Sequence, residues 1–232
     1  MNLKIKWPLK IFRINQKFGN VMPYYTSVGL KGHNGIDFYA MNSMPVFATH
    51  DGVVTFAGEE GKNGGWGIVI RTTEKFDDNY YKSIYWHLLP AGLKVTGGQK
   101  VKAGDIIALS NNSGYSSGPH LHFALKPIAK GENDWDWNNS RQNNGYFGAV
   151  DPYPFFETLP LKFTQALKLG SQGDEVKQLQ SFFLNVWADG KFGPITQAAL
   201  KSWQSRSGLV PDGIIGPKSR EVLNILTLRE IG

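Results

Sequence analysis

Five histidines, together with Asp37, hold most of the chemistry this sequence could perform. His120 and His122 stand two residues apart in Gly118-Pro119-His120-Leu121-His122-Phe123, and Phe123, Ala124 and Leu125 continue as an apolar strand. Residues i and i+2 of a strand point to the same side, with Cα atoms about 6.6–6.8 Å apart. His120 and His122 are therefore expected side by side on one face, with Leu121 and Phe123 on the other. One imidazole of the pair suits a metal ligand, and the other a neighbour within reach of whatever the metal binds.

A second cluster is Gly32-His33-Asn34-Gly35-Ile36-Asp37. Zinc ligand atoms sit about 2.0–2.2 Å from the metal in a tetrahedron, so any two lie roughly 3.3 Å apart. On an extended strand, residues i and i+4 are about 13 Å apart. Asn-Gly is a poor helix centre and a good turn. A tight turn at Asn34-Gly35 is expected to bring Asp37 back beside His33. With one residue of the His-x-His pair this makes a two-histidine, one-carboxylate site. Three protein ligands leave the fourth position open, the arrangement of a catalytic zinc. His87, in Tyr85-Trp86-His87-Leu88, ends an apolar strand and on its own reads as structural. His50, beside the Asp51-Gly52 turn, has no motif partner and reads as a surface residue.

The elements that must position these residues follow from the rest of the chain. At 232 residues it suits one or two domains, and 41% apolar and 13% aromatic content are globular values. The absence of cysteine excludes disulfides and thiolate metal sites, so a metal must use His, Asp or Glu. The net charge of +6 is spread out, with 16 basic and 13 acidic residues in 1–160 and 9 and 6 in 161–232. That disfavours nucleic acid, whose binders concentrate charge on one face, and favours approach to a polyanionic envelope. No apolar run is long enough to span a bilayer. Met1 to Phe12 interleaves Lys4, Lys6 and Lys10 with Leu3, Ile5, Trp7 and Ile11 around Pro8. It lacks the unbroken apolar stretch of a signal peptide and reads as a strand with alternating faces.

From Met1 to about Pro127, short strands alternate with glycine-containing turns, which predicts an antiparallel all-β domain. Residues 128–149 read as a long polar loop whose Trp and Tyr residues either line a substrate groove or pin the loop down. Asp151-Pro152-Tyr153-Pro154 and Pro160 end the domain. Val176, Leu179, Phe182 and Phe183 then give an amphipathic helix, capped by Ser171 or Asp174. Asp189-Gly190-Lys191-Phe192-Gly193-Pro194-Ile195-Thr196 recurs as Asp212-Gly213-Ile214-Ile215-Gly216-Pro217-Lys218-Ser219. In each copy Asp-Gly makes a turn and Gly-Pro starts a helix. Helices are expected over 196–206 and 219–228, completing a small three-helix domain with a binding role. The expected organisation is an all-β domain at 1–157, a linker at 158–166 and an all-α domain at 167–232.

Taken together, His33-x-x-x-Asp37, His87 in Tyr-x-His-Leu, and Gly118-Pro119-His120-Leu121-His122-Phe123 resemble the lysostaphin/LytM-type zinc endopeptidases of bacterial cell walls. Ile14-Asn15-Gln16-Lys17-Phe18-Gly19, Pro45-Val46-Phe47-Ala48 with Asp51-Gly52-Val53-Val54, Val101 to Ile107, and Ser113 to Gly118 support the likeness over roughly residues 11–155. Departures are Ala124 where Glu is common, an extra stretch at Val21 to Lys31, and the long 128–149 loop. These bear on substrate preference rather than on the metal site. Leu169-Gly170-Ser171-Gln172-Gly173-Asp174-Glu175-Val176, Leu179-Gln180 and the Asp-Gly-x-x-Gly-Pro repeats resemble the three-helix peptidoglycan-binding module over about 165–228.

The resemblance implies one zinc ion per chain on His33, Asp37 and His122. It implies His87 and His120 as the catalytic pair that handles the attacking water and the developing oxyanion. It implies hydrolysis of peptide stems or cross-links of peptidoglycan, in which oligoglycine bridges and bonds between D-Ala and a diamino acid both fit. The expected partner is bacterial peptidoglycan, with no nucleic acid and no membrane span, and the expected state is a monomer. Without a signal peptide, two routes to the wall remain. One is accumulation in a host cytoplasm and release, as with a phage endolysin; the other is a chain trimmed of its leader. The alternative function is a non-enzymatic wall-binding regulator of another hydrolase. Relatives of that kind have lost metal residues, and here all five are present.

Overall fold

The computed structural model describes residues 3–10, 14–128, 144–157, 163–184 and 186–229. The chain divides into two compact units, Met1–Glu157 and Thr158–Gly232. The strands of the first are β1 (Ile14–Gln16), β2 (Ile36–Tyr39), β3 (Pro45–Phe47), β4 (Gly52–Gly61), β5 (Gly65–Thr72), β6 (Tyr80–Trp86), β7 (Lys100–Val101), β8 (Ile106–Leu109) and β9 (His120–Ile128). Seven form a sheet in the order β1-β2-β9-β6-β5-β4-β7, and β3 pairs with β8. Every pairing of these strands is antiparallel. A single helical piece, α1 (Pro23–Ser27), interrupts the connection from β1 to β2.

β9, an interior strand between β2 and β6, sets the register. Leu121, Phe123 and Leu125 are fully buried in the main core, with Phe38 of β2 and Tyr85 of β6. Full burial of such a side chain stabilises by roughly 1.5–3 kcal/mol. A one-residue slip of β9 would turn all three out of the core and turn the histidines into it, so the apolar face fixes the position of the polar one. Past the histidines, Ala124 joins Val69, Ile84 and Trp86 in a small apolar cluster.

The N-terminal alternation is real, with Leu3 and Ile5 buried and Lys4 and Lys6 exposed. Yet residues 3–10 form no strand; they make one parallel bridge, Ile5 to Phe156, and isolated backbone hydrogen bonds from the Lys6 N–H to Thr49 and from the Phe47 N–H to Pro8. Pro8, which has no N–H to donate, helps explain this. Residues 129–143 of the expected loop, and 158–162 of the expected linker, lie outside the described residues. Tyr146 packs on Phe18 with ring centroids 4.6 Å apart, so this aromatic pins its segment down.

The second unit is helical. α2 (Asp174–Gln178) runs into a π-helical stretch, Leu179–Leu184, and is followed by α3 (Pro194–Arg206) and α4 (Pro217–Arg229). Leu167, Val176, Leu179, Leu200, Ile215 and Leu223 form its core. The N-cap of α2 is Gly173 with no side-chain cap. Ser171 instead accepts the Lys168 N–H, and Asp174 lies in the first turn, where its charge suits the helix dipole.

The internal repeat is built on two buried glutamines. Gln180 Oε1 accepts the Gly190 N–H at 2.9 Å, while its Nε2 lies 2.9 Å from Asp189 Oδ1, 3.0 Å from the Lys191 carbonyl and 2.9 Å from Thr196 Oγ1. Gln204 repeats the pattern on Gly213, Asp212, Ile214 and Ser219. Each glutamine therefore ties a Asp-Gly turn to the start of the following helix, satisfying polar groups that burial would otherwise orphan.

Candidate metal centre

Asp37 lies on β2 and His122 on β9, and the ladder between these strands pairs them directly. His33 precedes β2, and bends at Asn34 and Gly35 carry the chain from it into the strand. Where a tight turn is expected the chain only bends, and strand pairing places the carboxylate. His33 Nε2 lies 3.1 Å from Asp37 Oδ1, His122 Nδ1 lies 3.0 Å from the same oxygen, and the two nitrogens are 3.0 Å apart. These near-equal separations approach the roughly 3.3 Å edge of a tetrahedral zinc site. Among the described residues, this is the only His/Cys/Asp/Glu group that could hold a metal ion.

Gly35 makes the approach possible. A Cβ there would lie 2.6 Å from the Phe123 carbonyl oxygen and 2.7 Å from His122 Cε1. Any side chain at position 35 would force β9 and the His122 ring away from β2.

The protonation states suit a metal. His33 Nδ1 lies 3.2 Å from the Lys17 carbonyl, which can only accept, so Nδ1 carries a hydrogen and Nε2 is the atom turned to Asp37 and His122. Burial raises the Asp37 carboxyl, but hydrogen bonds and charge from His122 and His33 outweigh it and hold Asp37 below the usual carboxylate range. Burial pushes the His122 imidazole down, against the pull of Asp37. Metal binding requires an ionised carboxylate and free ring nitrogens; Asp37 is held ionised, and burial disfavours the charged form of His122.

His87 and His120 sit beside this cluster. Their ring centroids are 4.5 Å apart, and His120 Nε2 is 3.7 Å from Asp37 Oδ1. His87 Nδ1 lies 2.7 Å from the Ser113 carbonyl, and His120 Nδ1 2.9 Å from the Gly118 carbonyl. Both rings therefore hold a hydrogen on Nδ1 and leave Nε2 free of these carbonyls. His87 has φ of 65°, a left-handed backbone uncommon outside glycine. Its N–H donates to the Gly64 carbonyl and its carbonyl accepts from Asn111. Such strain, held by its surroundings, clusters at functional sites. Burial, then the charges of His120 and His122, pushes the His87 ring down to about 4.

All five expected residues thus come together in one place. His50 does not, and it is not a surface residue: it is only 5% exposed, with Nδ1 against the Asp51 carbonyl. Burial, opposed by Asp51, pushes its ring down to about 4. Sequence reasoning missed the aromatics of the Val21 to Lys31 stretch. From α1, Tyr25 stacks on His33 at 5.4 Å, and Tyr24 stacks on Tyr115 at 4.7 Å. Pro23 followed by two tyrosines was the available signal for a helical turn carrying them.

Residues 31–136 match the family model described as Peptidase family M23, and residues 172–223 the model described as a Putative peptidoglycan binding domain. The chain is similar to Glycyl-glycine endopeptidase ALE-1 of Staphylococcus capitis, 36% identical over 136 residues, which is 59% of this chain and 32% of that protein. It is also similar to DD-carboxypeptidase/endopeptidase Mpg of Neisseria meningitidis serogroup B, 36% identical over 120 residues, 51% of this chain and 25% of that protein. Among solved structures it is similar to the catalytic domain of the antimicrobial peptidase lysostaphin from Staphylococcus simulans. There the identity is 28% and the TM-score 0.48, covering 62% of this chain and 91% of that one. The matched lengths are about a quarter to a third of the two curated relatives.

Proposed function

We infer that this chain, a lysostaphin/LytM-type member of peptidase family M23 with a C-terminal peptidoglycan-binding domain, is a zinc-dependent endopeptidase that cuts peptide stems or cross-links of bacterial peptidoglycan. The observation that carries the reading is the convergence of His33 Nε2, Asp37 Oδ1 and His122 Nδ1 within 3.0–3.1 Å of one another, beside two imidazoles whose Nδ1 atoms are engaged by backbone carbonyls.

His33, Asp37 and His122 would hold the zinc. When bound, zinc supplies a Lewis acid for the scissile carbonyl and makes a water molecule acidic near neutral pH. His120 and His87 take up and return protons at Nε2. Once protonated there, either ring is also a hydrogen-bond donor for the developing oxyanion. Because Nδ1 of each ring is engaged by a backbone carbonyl, Nε2 is the atom that exchanges the proton.

All five residues come from one chain, so a monomer is sufficient for the reaction. The C-terminal domain would keep the enzyme on its insoluble substrate, placing its action at the cell wall. A phage-type endolysin setting is part of the same proposal, supported by the joining of an M23 domain to a wall-binding domain; a coding sequence beside that of a pore-forming lysis protein would test it. The function itself is tested by incubating zinc-loaded protein with purified walls and identifying released muropeptides by mass spectrometry. New amino termini at oligoglycine bridges, or at bonds between D-Ala and a diamino acid, are the expected products. Intact walls of both chemotypes would overturn it.

A further inference from the structure

The segment from Ser110 to Gly118 lies between the two catalytic histidines and touches both. The Asn111 N–H donates to the His87 carbonyl at 2.9 Å, and the Asn111 carbonyl accepts the His120 N–H at 3.3 Å. The Ser113 hydroxyl donates to the Leu88 carbonyl at 2.8 Å and accepts the Trp66 N–H at 3.0 Å. Gly65 and Gly114, with φ of 64° and 75°, interlock: a Cβ on either would lie 2.4 Å from the backbone nitrogen of the other. The first half of the segment is therefore seated firmly on the β4–β5 turn.

Its second half is held differently. A Cβ at Gly118 would meet no atom within 4 Å, so no packing fixes that peptide from the Cα side. The Ser116 hydroxyl does the holding. It donates to the Gly118 carbonyl at 2.8 Å and lies 3.4 Å from the Gly118 N–H. The same oxygen lies 3.1 Å from His120 Nδ1, whose hydrogen is shared with the Gly118 carbonyl at 2.9 Å. In the other tautomer, a bare Nδ1 would face that carbonyl oxygen, lone pair against lone pair.

We propose that Ser116 is a positioning residue for His120: its hydroxyl fixes the Gly118 carbonyl and the Nδ1–H tautomer, so that Nε2, 3.7 Å from Asp37 Oδ1, is left as the proton acceptor. The inference rests on the catalytic reading of His120, and a readout other than activity separates the two.

The test compares the zinc-loaded full chain with Ser116→Ala and Ser116→Thr. Imidazole 15N NMR is expected to show Nδ1–H at His120 in the unsubstituted protein and in Ser116→Thr, and mixed tautomers in Ser116→Ala. Zinc content should not change. On wall substrate, kcat of Ser116→Ala should fall about tenfold, a part of the roughly 10²–10⁴ that a proton shuttle supplies. KM should stay within about twofold, since no ground-state contact is removed, and Ser116→Thr should restore kcat. In a His120→Ala background, Ser116→Ala should cost nothing further. An unchanged His120 tautomer in Ser116→Ala would overturn the proposal, as would an equal loss of kcat in the His120→Ala background. If the unsubstituted protein hydrolyses no wall, the functional reading fails, and the tautomer comparison still decides the role of Ser116.

Discussion

His122 Nδ1 lies 3.0 Å from Asp37 Oδ1, and the two residues are direct partners in the ladder between β9 and β2. Residues 85 positions apart in sequence are thus joined by backbone register rather than by a flexible loop. The register is in turn fixed by Leu121, Phe123 and Leu125 in the core. A metal held by Asp37 and His122 would therefore depend on the packing of the sheet.

The two histidines of the His-x-His pair should therefore respond differently to substitution. His122→Ala leaves His33 and Asp37 as ligands, and zinc affinity should fall by orders of magnitude, with activity lost. His120→Ala and His87→Ala should keep near-stoichiometric zinc and near-native melting, yet lose roughly 10²–10⁴ in rate. Zinc analysis of dialysed variants checks this. Zinc lost with His120→Ala and retained with His122→Ala would reverse the assignment.

Gly35→Ala should weaken zinc binding without touching a ligand. The added methyl meets the Phe123 carbonyl and the His122 ring at 2.6–2.7 Å, and part of that contact is with backbone that cannot rotate aside. Overpacking of this kind typically costs 1–3 kcal/mol. The expected outcome is a lower melting temperature and weaker zinc retention in competition with a chelator. Unchanged values of both would show that the close approach of β2 to His122 is not needed.

Much of this site was legible in the sequence, for a physical reason. The strand period places His120 and His122 on one face once Leu121 and Phe123 are buried, and the structure has both at zero exposure. The Asn34-Gly35 bend was equally readable. The partner that aligns Asp37 was not, because register between β2 and β9 depends on contacts far apart in the chain. His50 was misread for a related reason. A histidine beside an Asp-Gly turn looks exposed, and only the tertiary fold buries it. The Asp-Gly-x-x-Gly-Pro repeats announced turns and helix starts, but not Gln180 and Gln204, which lie outside the repeated octets and bind them.

Those glutamines should control the stability of the second unit. Gln204→Leu leaves the buried Gly213 N–H without its acceptor, and Gln180→Leu does the same at Gly190. An unsatisfied buried group costs about 1–3 kcal/mol. Each variant should lower the melting of the helical unit and its retention on walls, while zinc content and the melting of the β unit stay the same. Wild-type melting of the helical unit in both variants would remove the role assigned to them.

His50 should make stability depend on pH. Its folded-state ring, at about 4, lies below the ordinary value of 6.5. The unfolded chain therefore binds more protons between these values, and stability falls as pH drops from about 6.5 to about 4. The contribution of this one group is on the order of 3 kcal/mol. His50→Leu should flatten that part of the profile in denaturant melts of zinc-free protein, relative to the unsubstituted chain. An identical slope in both would place the effect elsewhere.

The most direct measurement is the release of new amino termini from purified peptidoglycan, with zinc present, after chelation, and after zinc is restored. The expected result is release that stops with the chelator, returns with zinc, and never appears in His122→Ala. Release that continues undiminished in a protein shown to be metal-free would contradict a zinc peptidase. No release from walls of either chemotype, with zinc stoichiometrically bound, would contradict a peptidase of any kind acting on this polymer.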